Sequence, residues 1–442
     1  MSHAAFCLAT LPGSGQGMLR IPVETTTARA ASAWVEVDLG AIAHNVRVFR
    51  AVLPPACRLI AVVKADGYGH GMVRVARTAL AAGADELAVA NVHEGALLRV
   101  AGVTAPILIA GPVPPDSAGD VVQHGLTASL GCFELAAALA RVTRRFLPVQ
   151  IEVDTGMARH GIPARDLGAF VDTLRDRGRL SIAGVYTHLV GLGPDDLPAI
   201  RQQLATFVQC TESTPALRGV RRHVCNTLGA LLLPRAGLAA AWLDGVRIGG
   251  GLYGFDPLRG VGAGARAVLG AALRPALSLK TTIAGLRDAA AGDPVGYGGN
   301  FVCDRPTRLA LLPIGYADGL LRELWTGADV LVRGRRAPLV GRISMNQAVV
   351  DVSDLPGVVF GEEVVLIGAM GHERIAAEER VPPGGSVYEV TSLLPARLPR
   401  RYVGAGGGGE RAEHPRTGRG RPAPGSPDRG GVPGEQLHGP RR

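Results

Sequence analysis

Apolar positions recur along this chain in two rhythms, and the change falls near Pro257. In the first part, short apolar runs alternate with stretches rich in Ala, Leu and Arg. The runs lie at 59–63, 87–90, 107–110, 126–129, 149–153, 182–187, 222–225 and 243–248. Each has the length of a buried strand, and most of the segments between them carry helical spacing. Eight strands alternating with helices predict an α/β fold, a (β/α)8 TIM-type barrel. A doubly wound open sheet is the rival, but no GxGxxG fingerprint follows an early strand. Ahead of the first run, 34–38 alternates like a short strand, and Asp38 is placed to cap a helix over 39–53.

After Pro257 the helical spacing stops. Segments at 276–284, 308–313, 328–332, 337–340, 348–352 and 363–367 predict a C-terminal all-β domain. Residues 1–32 are small and polar, and those past Tyr402 are rich in Gly, Pro and Arg without periodicity. Both ends are expected to be disordered. The expected division is a leader over 1–32, a barrel over 33–256, a β domain over 257–402 and a tail over 403–442. The strand at 33–38 is expected to join the β domain.

Composition narrows the function. A hydrophobic fraction of 47% supports a sizeable core, and no apolar run is long enough to span a bilayer. The net charge of +9 suggests nucleic acid at first sight. The tail alone holds seven Arg against four acids, and the remaining charge is scattered with no basic helix, so no nucleic-acid partner is expected. The six cysteines form no CxxC pair and no metal-ligand spacing. With no recognisable secretory signal, reduced thiols, a cytoplasmic location and no metal are expected.

One residue type changes the picture further. Of 47 basic side chains only Lys64 and Lys280 are lysine. Arginine serves elsewhere, so a lysine retained at the end of an apolar run, before Gly67, Gly69 and Gly71, points to amine chemistry. Lysine forms Schiff bases and can lose its proton; arginine does neither. The plainer reading is a solvated strand-end lysine. In a barrel, functional groups gather where strands end. Glu152, Asp154, Met157 and Arg159 follow the fifth run, His188 the sixth, Asn226 and Thr227 the seventh, and Arg247 with Gly249, Gly250 and Gly251 the eighth. Singly each has a bland reading as a turn, a core histidine or a surface ion pair. Together they converge on one predicted face. Thr227 and the Gly249–Gly250 backbone lie where barrels often bind phosphate. A phosphate beside a lysine amine suggests pyridoxal 5'-phosphate. Arg247 near the pyridine nitrogen would keep that nitrogen unprotonated and restrain the carbanion.

The motifs AVVKADGYGHG, DTGMARHG, YTH, NT, VRIGGGLYG, PIGYADG, GRISMNQ and YEV, in that order, span roughly residues 34 to 402. In this combination the chain resembles the bacterial alanine racemases. The resemblance implies a pyridoxal phosphate enzyme interconverting L- and D-alanine, supplying D-alanine for peptidoglycan. Lys64 would carry the cofactor and act as the base on the D face. Tyr316, supplied by the partner subunit of a homodimer, would be the base on the L face. His188 and Arg247 would form a hydrogen-bonded chain to Tyr316. Arg159 would contact the cofactor phenolic oxygen and the substrate carboxylate. Tyr68, Thr227, Gly249, Gly250 and Tyr388 would hold the phosphate, with Asn226 alongside. Met345 would bind substrate through its backbone, and Tyr297 would gate the site.

Two positions depart from the family pattern. Glu152 stands where many members have a carbamylated lysine, and is expected to hold Arg159 in its place. Asn346 replaces an aspartate, so serine or broad-specificity racemisation stays open. A pyridoxal phosphate decarboxylase shares the two-domain plan but needs no base at Tyr316. A cofactor-homeostasis barrel would lack residues 257–402.

Overall fold

The computed structural model describes residues 31–404 apart from 177 and 326. Nearly all of the expected leader and tail lies outside the described residues. Val403, placed in the tail by the sequence reading, instead ends the strand Arg400–Val403.

Eight parallel strands close on themselves. They are Arg58–Val62, Glu86–Val89, Ile107–Ile109, Thr127–Leu130, Leu147–Asp154, Leu180–Tyr186, Arg221–His223 and Gly245–Ile248. Each pairs with the next, and the last pairs back with the first. All eight expected runs are found, displaced by a residue or two. The apolar runs are continuous because both faces are covered. Leu59, Leu87 and Ile107 join the main core, whereas their neighbours Ile60, Ala88 and Leu108 form a separate cluster with Tyr186. Alternate residues thus face the helices and the barrel interior.

The helix Leu39–Val52 begins where Asp38 Oδ1 accepts the Ala41 N–H at 3.0 Å, and it buries Ile42, Val46 and Phe49. The strand before it, Ala33–Asp38, stands apart from the barrel ring. It pairs antiparallel with Leu277–Thr282 and parallel with Arg400–Val403. These belong to a second sheet with Glu363–Met370, Asp329–Val332 and Arg335–Pro338, and a three-stranded sheet packs Gly285–Ala289, Thr307–Leu312 and Ala348–Asp351.

The C-terminal part is strand-rich rather than all-β. Val387–Ser392 is a helix whose first turn is capped by Ser386 Oγ. Six residues are too few to show a helical period. Gly285–Ala289 and Arg400–Val403 escaped the reading because their sequences, GLRDA and RRYV, carry charge instead of an apolar run.

The first barrel strand leads into the Gly67–Gly69–Gly71 segment, which touches the C-terminal part closely. A Cβ at Gly69 (φ +81) would collide with the Thr391 carbonyl oxygen, and one at Gly71 (φ +91) with the Tyr402 hydroxyl. Gly69→Ala is expected to cost about 3 kcal/mol of stability, from backbone strain and the clash together. A urea denaturation midpoint equal to that of the parent would contradict this.

Candidate active site

Lys64 follows its strand into a turn of left-handed backbone. Ala65, Asp66, Gly67, Tyr68 and Gly69 have φ of 54, 51, 62, 52 and 81°. Each non-glycine residue there costs about 1–2 kcal/mol, so the turn must be held by its surroundings. Glu94 Oε1 accepts the Ala65 N–H at 2.7 Å, while its Oε2 accepts the Ala90 N–H at 2.7 Å. Asp66 Oδ1 accepts the Met72 N–H at 2.9 Å and so starts the helix Met72–Ala81. Arg400 donates from Nε and Nη2 to the Gly69 carbonyl, each at 3.2 Å.

The turn forms one wall of a cavity of about 800 Å³ at the strand ends. Lys64, Tyr68, Glu152, Arg159, His188, Asn226, Thr227, Arg247, Gly249, Gly250 and Tyr388 are among the residues that line it. Ten residues expected to meet a cofactor therefore share one cavity. Around Thr227 the cavity is built from backbone and hydroxyls. Thr227 opens the helix Thr227–Arg235, and its Oγ1 accepts the Gly249 and Gly251 N–H groups at 3.2 Å each. Side chains at Gly249 and Gly250 would strike the hydroxyls of Tyr68 and Tyr388, so glycine lets those phenols close over the backbone. The Tyr68 and Tyr253 rings lie 4.8 Å apart, and Tyr388 meets Tyr68 edge-on at 5.7 Å. Burial holds all three hydroxyls protonated as hydrogen-bond donors by pushing their pKa values up. Asn226 is partly spent on structure, since its Oδ1 caps the helix through Gly229 N–H at 2.9 Å.

Arg247 is buried and lines the cavity with its donors oriented. Nη1 meets His223 Nδ1 at 2.6 Å, and Nη2 donates to the Thr187 carbonyl at 2.7 Å. An arginine only donates, so His223 accepts at Nδ1 and presents Nε2–H to Gln150 Oε1 at 2.6 Å. The guanidinium also stacks 4.8 Å from the centre of the Tyr186 ring. These contacts correct one expectation: the hydrogen bonds of Arg247 run to His223 and backbone carbonyls, not to His188.

Glu152 brings a second correction. Its Oε2 accepts the Tyr186 hydroxyl at 2.9 Å and faces His160 Nδ1 at 2.8 Å. Ser129 Oγ completes the set at 2.6 Å from the same hydroxyl. The carboxylate thus braces Tyr186 and His160 and makes no hydrogen bond to Arg159. His160 and Tyr186 sat in the motifs DTGMARHG and YTH without being singled out. Glu94 and Arg400 carried no local signal, because their partners lie far away in sequence.

The electrostatics favour neutral groups around an amine. Loss of bulk water, then the Arg159 charge, push the Lys64 pKa down, while Glu94 pulls it up. His188 is pushed down to about 3 by burial and then by Arg247, Arg159 and Lys64. Burial takes His70 down to about 4, and burial with Arg247 takes His223 well below its ordinary value. These histidines are neutral when folded and protonate once unfolded below about pH 6.5, so the unfolded chain binds more protons. Stability is therefore fully present above that pH and falls as pH drops towards 4. A lower melting temperature at pH 5 than at pH 7 is expected, with roughly two to three protons taken up per chain on unfolding. An unchanged melting temperature would rule out the neutral histidines.

Three expected site residues stand away from the cavity walls. Tyr316, Met345 and Tyr297 are 41%, 56% and 68% exposed. Tyr316 and Met345 adjoin, since the Tyr316 N–H donates to the Ser344 carbonyl and the Ala317 N–H to the Met345 carbonyl. The Arg322 guanidinium lies 5.9 Å from the centre of the Tyr316 ring. Asn346 Nδ2 reaches Asp318 Oδ2 at 3.5 Å, where an aspartate would oppose a second carboxylate. Among the described residues no group of side chains is arranged to hold a metal ion, and no helix is long and apolar enough to cross a membrane.

Comparison with known proteins adds the family. The family "Alanine racemase, N-terminal domain" matches residues 37–257, and "Alanine racemase, C-terminal domain" matches 276–402. The chain is 40% identical over 378 residues to an alanine racemase of Symbiobacterium thermophilum, covering 84% of this chain and 97% of that protein. It is 37% identical over 376 residues to one from Desulfovibrio desulfuricans, covering 84% and 98%. Among solved structures, the alanine racemase of Bacillus anthracis with bound L-Ala-P superposes with a TM-score of 0.76 at 34% identity, covering 85% and 96%. That of E. faecalis gives 0.76 at 32%, covering 85% and 99%. With the barrel, the strand-rich second part and the lysine-bearing turn all in place, these matches make the chain a member of the alanine racemase family.

Proposed function

We propose that this chain is an alanine racemase, a pyridoxal phosphate-dependent isomerase that interconverts L-alanine and D-alanine. The observation that carries this is the cavity, which is lined both by Lys64 and by Thr227, Gly249, Gly250, Tyr68 and Tyr388, a set suited to cradle a phosphate. The donor set fits the cofactor. Backbone N–H groups, hydroxyls and a helix N-terminus suit a phosphate, and a depressed lysine suits an aldehyde. Bound there, pyridoxal phosphate supplies the electron sink for a carbanion at Cα.

The chain's own groups do the rest. Lys64 moves the proton on one face. Arg247, held by His223, would meet the ring nitrogen of the bound cofactor and, as a guanidinium, would accept no proton from it. Arg159 and the Met345 backbone bind the substrate carboxylate, and Tyr297 gates the entrance. Tyr316 moves the proton on the opposite face. Its place outside this chain's own cavity supports its delivery by the partner subunit of a homodimer. A base on each face accounts for racemisation, since one base alone would return the proton to the side it came from. Residues 33–256, less the strand Ala33–Asp38 that joins the second sheet, are the main cofactor-binding unit, and 257–402 the unit that adds Tyr388 to the cradle and delivers Tyr316 and Met345. The enzyme supplies D-alanine for peptidoglycan in the cytoplasm.

A panel of L-amino acids with added pyridoxal phosphate, read by chiral chromatography, tests the assignment. D-alanine is expected to form fastest, and the panel ranks serine against it. Cofactor binding with CO₂ release and no D-product would overturn the reading.

A further inference from the structure

We propose that Glu94 and Arg400 are positioning residues for the Lys64 turn, gripping its backbone from two parts of the molecule. This rests on the reading of Lys64 as the cofactor lysine. Among the described residues, theirs are the side chains from distant parts of the chain that hydrogen-bond its main chain between Lys64 and Gly69, alongside the adjacent His70, whose Nδ1–H donates to the Tyr68 carbonyl at 2.9 Å. They take opposite ends: Glu94 accepts the first N–H, of Ala65, and Arg400 donates to the last carbonyl, of Gly69. Neither is loosely held. Glu94 spans the ends of two adjacent barrel strands, because its other oxygen holds the Ala90 N–H. The Arg400 side chain is 8% exposed. Its remaining donors reach the carbonyls of Leu394, Pro395 and Leu398 at 3.0, 2.7 and 2.8 Å. Asp66 lies 3.9 Å from the same guanidinium.

The need for two grips follows from the backbone. Ala65, Asp66 and Tyr68 are held left-handed, a conformation side chains disfavour. Released at either end, the turn relaxes towards right-handed geometry and swings the Lys64 amine and the Tyr68 phenol out of register with the cradle. Arg400 lies on the strand paired with Ala33–Asp38, so the second sheet sets the position of a barrel residue.

The test measures pyridoxal phosphate affinity by absorbance titration for Glu94→Ala and Arg400→Met, each with and without Ala65→Gly. Glycine adopts the left-handed form freely. Each single variant is expected to bind cofactor about tenfold or more weakly. Ala65→Gly is expected to recover much of that loss, which it would not do for a side chain that only supports the fold. Should Arg400→Met fail to fold, the Glu94→Ala pair carries the test. Unchanged affinity in the single variants, or no recovery with Ala65→Gly, overturns the proposal. Borohydride reduction of the parent protein with pyridoxal phosphate separates the two readings. If Lys64 is not labelled, the cofactor reading fails and this one with it; if Lys64 is labelled and the variants bind normally, only the positioning role falls.

Discussion

Lys64→Ala protein is expected to racemise L-alanine about 10⁴-fold more slowly than the parent, or not measurably. The change removes the cofactor's attachment point and one of the two bases together. Lys64→Arg should be equally inactive, because arginine keeps the charge but neither forms a Schiff base nor releases its proton. Comparing the two separates amine chemistry from electrostatics. Neither substitution should unfold the protein, since the side chain lines an open cavity: Lys64→Ala relieves the repulsion with the like charge of Arg159, and Lys64→Arg keeps a charge the site already holds. The check is initial rate with melting temperature alongside. A Lys64→Arg enzyme retaining more than a few per cent of the parent rate would end the proposed role.

Mixing two inactive proteins is expected to restore activity. Lys64→Ala lacks the amine and Tyr316→Phe lacks the opposite base, so each homodimer is dead at both sites. If Tyr316 comes from the partner, a mixed dimer holds one site with both lesions and one with neither. After random reassortment half the dimers are mixed, so about a quarter of the parent activity should return. The motive is geometric: Tyr316 is 41% exposed and absent from the walls of its own chain's cavity, although Lys64, Arg247 and the cradle are all there. The measurement is rate after co-unfolding and refolding, or after co-expression with separable tags. No recovery, with mixed dimers shown to form, would mean that each chain completes its own site.

The barrel was legible because parallel strands covered on both faces read as apolar runs, and helices between them keep their own period. The cavity-lining residues were legible because a barrel places strand ends on one face. Lys64, Arg159, His188, Thr227 and Arg247 follow from strand position alone, while Tyr68 and Tyr388 came from the resemblance. Short or charged elements were not legible. The helix Val387–Ser392, which carries Tyr388, is too short to repeat, and Arg400–Val403 has no apolar run.

Local pattern and strand order thus encode the fold class, the lysine and the strand-end residues that gather round it. They do not determine who holds whom. Glu152 was expected to hold Arg159, yet it accepts from Tyr186 and His160; Arg247 was expected to bond His188, yet it bonds His223. Hydrogen-bond partners inside a barrel come from different strands, and ångström-scale differences in side-chain direction decide among several candidates. The left-handed turn under Lys64 is likewise a tertiary decision. Ala65, Asp66 and Tyr68 have no local preference for it, and contacts with Glu94 and Arg400, 29 and 331 residues away from the groups they bind, outweigh their own disfavoured backbone.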